Sequence, residues 1–112
     1  MTTGAMMIAR VWRATATPEG AEAYREHFTN SVLPTLRRLD GHRGAYLFRS
    51  DRDDLVELEV MTLWESQEAI QAFAGPDTTT AVVEPEAQAV LLSYDKTVSH
   101  RTVEVNTANT PA

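Results

Sequence analysis

The chain contains no cysteine, which excludes disulfides, thiol nucleophiles and every zinc or iron–sulfur site that needs thiolate ligands. Basic residues are few: ten Lys plus Arg stand against sixteen Asp plus Glu, giving a formal charge of −6 and a pI near 4.9. So acidic a chain is repelled by a phosphate backbone, and a nucleic-acid partner is not expected. Long apolar runs are also missing. No stretch approaches the roughly 20 residues of a membrane span, and Met1 to Ile8 has neither a basic start nor a long apolar segment, so the expectation is a cytoplasmic protein away from membranes. Metal-binding spacings are absent too: there is no H-x-x-x-H or H-E-x-x-H, and Asp51, Asp53 and Asp54 lack the glycine and distal glutamate of a calcium loop. No G-x-S-x-G elbow and no Gly-rich phosphate loop occurs, which removes hydrolase, kinase and dinucleotide readings. Neither metal nor organic cofactor is expected.

What remains is 112 residues, 43% of them hydrophobic, enough for one core and too little for two domains. The spacing predicts a single domain over residues 6–105, with loose termini at 1–5 and 106–112, where small polar residues cannot bury apolar area. Ile8, Val11 and Trp12 lie in a strand that ends at Thr17-Pro18-Glu19, an N-cap with proline at the first helical position. Ala21, Tyr24, Phe28 and Val32 then recur at helical spacing, and Pro34 predicts a kink or break before Gly41. Tyr46, Leu47 and Phe48 begin a hairpin that turns at Asp51-Arg52-Asp53-Asp54. On its second strand Val56, Leu58, Val60, Thr62 and Trp64 share the more apolar face. Ser66 caps a second helix with Ala69, Ile70 and Phe73 as its stripe, and Gly75-Pro76 ends it. Ala89 to Tyr94 and Thr97 to Val105 read as strands.

The order strand, helix, strand, strand, helix, strand predicts an α+β, ferredoxin-like split βαβ fold: an antiparallel sheet with both helices on one face. The other face, with Val11, Met61 and Leu63, then has no cover within the chain. A half-apolar face left bare is ordinarily buried against a second copy, so a homodimer is expected.

The segments Ile8-Ala9-Arg10-Val11-Trp12-Arg13, Gly41-His42-Arg43-Gly44-Ala45-Tyr46 and Leu63-Trp64-Glu65-Ser66, with Glu68-Ala69-Ile70 and Phe73, resemble the antibiotic biosynthesis monooxygenase family of the dimeric α+β barrel superfamily. The resemblance runs over about residues 6 to 105 and is most specific at Trp64-Glu65-Ser66. It implies a dimer whose two sheets form a barrel, with a ligand pocket in each protomer between sheet and helices. Some members oxidise phenols, anthrones or quinols with molecular oxygen and no cofactor; others degrade haem, and related barrels isomerise or cyclise small molecules. The place of the haem-ligating histidine falls at about Val83, and that of a first-strand asparagine near Trp12, which disfavours haem chemistry. Two polar positions of the anthrone-oxidising members fall at Val60 and Ile70.

Six residues are candidates for a site. Trp64 is either core or, as the resemblance suggests, an aromatic wall of the pocket, and Trp12, Tyr46 and Phe73 are the further walls. Arg10 shares the parity of Ile8 and Trp12, so its charge needs a partner if buried. That partner is either a carboxylate such as Glu84 or the anionic oxygen of a ligand. His27 reads as a boundary residue and His42 as an exposed turn residue. His100, on the last strand, is either a dimer-interface histidine or the general base that ionises a phenol or a C–H beside a carbonyl. Together these residues describe a cofactor-independent oxygenase acting on a small aromatic or polyketide-like molecule. The alternatives are a cofactor-free isomerase or cyclase on the same scaffold, and a non-catalytic small-molecule-binding stress protein.

Overall fold

A computed structural model describes residues 7–106, so the expectation of loose termini at 1–5 and 106–112 lies, apart from Asn106, outside the described residues. The elements are β1 Ile8–Ala16, α1 Pro18–His27, a π-helical turn Phe28–Val32, α2 Leu33–Arg37, β2 His42–Arg52, β3 Leu55–Trp64, α3 Gln67–Ala74, α4 Pro85–Gln88, β4 Ser93–Tyr94 and β5 Ser99–Thr102. The sheet is antiparallel in the order β2-β3-β1, with β4 and β5 sharing the free edge of β1. This is the ferredoxin-like α+β arrangement.

Local chemistry starts both main helices as expected. The Thr17 hydroxyl accepts from Gly20 N–H at 3.0 Å ahead of Pro18, and the Ser66 hydroxyl accepts from Ala69 N–H at 3.1 Å. Pro34 does not break the first helix. The preceding turn widens instead, with Leu33 N–H donating to the Phe28 carbonyl five residues back, and this π turn carries the helix across a residue that has no N–H to give. The last strand is shorter than its composition suggests. Ala89 to Leu92 stay out of the sheet, and between β4 and β5 the chain turns to the 79–81 segment, where Val98 N–H donates to the Thr79 carbonyl and Ala81 N–H to that of Lys96.

Val56, Leu58, Val60, Thr62 and Trp64 of β3 face the helices and are all buried, as their parity predicts. Opposite them on β1 stand Ala16, Ala14, Trp12, Arg10 and Ile8. Trp12, Tyr24, Phe28 and their neighbours form one core cluster, and Leu36, Trp64 and Ile70 form a second beside it. On the outer face the expectation needs correcting. Val11 and Leu63 are already buried within one chain, and the exposed apolar surface belongs to Tyr46 and Phe48, whose rings stack with centroids 5.6 Å apart.

Candidate functional site

Between the helix-facing side of the sheet and α1 lies a cavity of about 50 Å³, roofed by the irregular segment that carries Val82, Val83 and Glu84. Trp12, Val60, Phe28 and Phe73 supply apolar walls, and Arg10, Tyr24, Thr62, His27 and Glu84 the polar ones. Drug-sized ligands occupy pockets of roughly 300–1,000 Å³, so a ring enters only if the 82–84 roof moves. A much larger groove, about 610 Å³, opens elsewhere beside Arg13, Phe48, Arg49 and Tyr94. Its two cations are exposed and already paired, Arg13 with Glu59 and Arg49 with Asp51 and Glu22, so it has no cation left for an anionic ligand.

Arg10 is the unusual residue of the smaller cavity. Its side chain is on the buried face of a central strand, and the residue is only 5% exposed. One guanidinium nitrogen donates to the Thr80 carbonyl at 2.9 Å, and the group lies 5.7 Å above the Phe73 ring. Nε has no partner among the described residues. The expected carboxylate is elsewhere: Glu84 lies against His27, with Oε1 3.1 Å from Nε2. Burial lowers the Arg10 pKa from its ordinary value, yet an arginine stays protonated in proteins. The result is a buried cation without a counter-ion among the described residues.

His100 is the register partner of Arg10 across β1 and β5, but it is not a wall of the cavity. Its Nε2 is buried without a partner, and burial followed by the Arg10 charge pushes its pKa down from the usual 6.5. A depressed histidine is deprotonated in the folded chain while the unfolded chain still binds the proton, so its contribution to stability falls as pH drops below about 6.5. His42 shifts the same way, chiefly by burial. Between pH 7 and pH 5 the wild type should therefore lose more melting temperature than His100→Asn. Equal losses in thermal scans would show that His100 is unshifted.

Trp64 and Tyr46 do not stand where a pocket wall would. Trp64 is 0% exposed, stacked on Phe73 at 5.8 Å and edge-on to His42 at 5.2 Å, and its indole N–H donates to the Thr62 hydroxyl at 2.8 Å. It reaches the cavity only through those neighbours. Tyr46 is 44% exposed on the outer face, because it pairs with Met61 rather than with a helix-facing residue. Trp12 and Phe73 do line the cavity, the former with its N–H on the Asp95 carbonyl at 2.7 Å. Three polar groups had no place in the sequence reading of the site: the Tyr24 hydroxyl, the Thr62 hydroxyl and the His27–Glu84 pair. Helical spacing carried a signal for His27, since it follows Tyr24 by three residues and belongs to the same buried stripe. Burial, then the nearby Glu84 charge, drives the Tyr24 pKa well above its ordinary value, so its hydroxyl is a lasting neutral donor.

The family model for antibiotic biosynthesis monooxygenases matches residues 7–85. The chain belongs to the antibiotic biosynthesis monooxygenase family. No curated protein matches it, but solved structures share the family's fold. A Nitrosomonas europaea protein of unknown function superposes with a TM-score of 0.67 at 17% identity, covering 98% of this chain and 99% of that one. A Streptomyces coelicolor monooxygenase, solved with nanaomycin D, gives 0.59 at 20% identity over 96% and 94%. SnoaB, a cofactor-independent oxygenase from Streptomyces nogalater, gives 0.50 at 13% over 91% and 95%. The cavity is apolar at Trp12, Val60 and Val83. Its polarity is concentrated instead on Arg10 at one side and on Tyr24, His27 and Glu84 at another.

Proposed function

We propose that this cavity binds a small, weakly acidic aromatic or polyketide-like molecule as its anion and exposes that anion to molecular oxygen without metal or flavin. The observation that carries the reading is Arg10, 5% exposed, with no carboxylate partner and an unpartnered Nε among the described residues. A buried cation without a counter-ion is costly, and a ligand oxyanion at this position would supply the missing charge. Removal of a proton from the phenol or anthrone leaves an electron-rich anion held by Arg10 and surrounded by Trp12, Phe28 and Phe73. The anion passes one electron to oxygen, and the resulting superoxide and ligand radical combine through a new C–O bond. The peroxide anion so formed takes back the proton removed at the start, and loss of water from the resulting hydroperoxide converts a CH₂ to a carbonyl, with one oxygen atom in the product and the other in water. Arg10 stabilises charge, and the apolar walls keep bulk water from the reacting pair.

Metal-stripped protein with 1,8-dihydroxyanthrone should consume oxygen faster than buffer and place one ¹⁸O from labelled oxygen in the quinone. Conversion of a related substrate without oxygen uptake would point to the isomerase or cyclase chemistry. The small volume favours one other reading, a ligand-sensing protein that binds without turnover, and binding with neither oxygen uptake nor product would establish it.

The same proposal includes a homodimer through the outer sheet face, where Tyr46 and Phe48 are 44% and 43% exposed. Such obligate interfaces bury about 2,000 Å² or more. Light scattering at micromolar concentration should give twice the chain mass for wild type and the single mass for Phe48→Asp. A monomeric wild type would contradict it.

A further inference from the structure

We propose that His27, braced by Glu84, is the group that takes the ligand's proton, with Nδ1 as the receiving atom; this rests on the reading of the cavity as an anion site. His27 comes from the end of α1 and Glu84 from the residue that precedes α4, and both are among the walls of the cavity. His27 Nε2 lies 3.1 Å from Glu84 Oε1, with the His27 side chain only 10% exposed. The carboxylate occupies Nε2, which leaves Nδ1 as the atom assigned to the ligand's proton.

Charge placement separates this histidine from the other two. When His27 gains a proton, its new charge forms beside a carboxylate; when His100 gains one, it forms beside the Arg10 guanidinium. His42 lies against the Trp64 ring with Arg37 and Arg43 acting on it, away from the cavity walls. In the proposed step the buried arginine starts without a counter-ion among the described residues, and the His27 ring starts without the proton it is to receive. The step breaks the ligand O–H or C–H bond, leaves its electron pair on the ligand and forms the N–H bond of the imidazolium. Two opposite-charge pairs result, Arg10 with the ligand anion and His27 with Glu84, and the net charge of the site does not change. The attraction at the buried Arg10 is stronger than it would be in water, while that of the half-exposed Glu84 for His27 is partly screened by solvent. Tyr24, one turn before His27 with ring centroids 6.0 Å apart, offers its hydroxyl to the same ligand oxygen and does not compete for the proton. His27 is therefore a catalytic residue, Glu84 a positioning residue and Tyr24 a donor.

The test uses 2-naphthol under nitrogen at pH 7, where the free molecule is almost wholly un-ionised and its naphtholate has a separate absorption band. Wild-type dimer should bind it with a clear naphtholate signal. His27→Gln and Glu84→Gln should still bind, with the ionised fraction reduced at least roughly tenfold, the equivalent of one pKa unit or more, and His100→Asn should match wild type. Glu84 is half-exposed, so its variant remains informative even if His27→Gln folds poorly. In wild type the ¹⁵N resonance of His27 Nδ1 should move to its protonated position as 2-naphthol is added. Unchanged ionisation in both variants, binding of un-ionised 2-naphthol by wild type, or no binding at all would overturn the assignment. Naphtholate formation without oxygen uptake on the anthrone would instead leave the assignment standing and remove the oxygenase reading.

Discussion

Arg10→Met is expected to leave the protein folded, with a melting temperature equal to or above that of wild type, while lowering turnover at least 10²-fold. The two halves of this result have separate causes. In the free protein Arg10 makes one hydrogen bond, to the Thr80 carbonyl, and one ring contact, to Phe73, and has no ion pair among the described residues. Methionine keeps much of the apolar contact and removes a buried charge, and replacing buried charge by well-packed apolar groups is often neutral or stabilising by about 1–4 kcal/mol. In the reactive complex the same substitution removes the group that holds the developing anion, and loss of one such preorganised donor ordinarily costs about 10²–10³ in kcat. Thermal unfolding and initial oxygen-uptake rates on the same preparations check both halves. A strongly destabilised Arg10→Met protein would show that the guanidinium is there for packing, and an active one that the anion is held elsewhere.

Trp64→Ala should behave in the opposite way, losing stability first. The indole is fully buried, touches Phe73, His42 and the Leu36–Ile70 cluster, and gives its N–H to Thr62. Its removal empties the centre of the second core and leaves the Thr62 hydroxyl without its donor. Substitutions of this size cost about 3–5 kcal/mol, and in a domain this small each kcal/mol shifts the melting temperature by roughly 4–8 °C. A fall of about 15 °C or more, or failure to fold, is therefore expected in a thermal scan. Trp64→Phe, which refills most of the space, should lose well under half as much. A stable Trp64→Ala protein with altered ligand binding would return Trp64 to the pocket wall.

The first three strands and the caps were legible because their determinants are local, whereas the last strands proved shorter than residues 89–94 and 97–105. Period-two alternation assigned Val56 to Trp64 to the buried face of β3, and Thr17 and Ser66 announced the helices through their own hydroxyls. The parity that puts Arg10 beside Trp12 was equally plain. Tyr46 was harder to place. On β2 the aromatic pair Tyr46 and Phe48 is the bulkier apolar set, yet Ala45 and Leu47 face the helices, because an irregularity between His42 and Gly44 shifts the register against β3. A shift of one residue exchanges the faces, and nothing in the strand's composition records it. The partner of Glu84 was hidden for a different reason. Arg10 and His27 are both basic residues on the cavity, and which of them meets the carboxylate depends on how α1 and the 82–84 segment converge, a tertiary outcome between residues far apart in sequence. Pro34 likewise signals a disturbance of the helix without saying that a π turn would absorb it.

An anaerobic crystal structure of the protein with 2-naphthol tests the central claim most directly. The account predicts the ring beside Trp12 and Phe73, the 82–84 segment displaced outward, and the ligand oxygen at about 2.7–3.2 Å from Arg10 Nε. A ring seated in the open groove beside Arg13 and Tyr94, or one in the cavity with its oxygen turned away from Arg10, would contradict it.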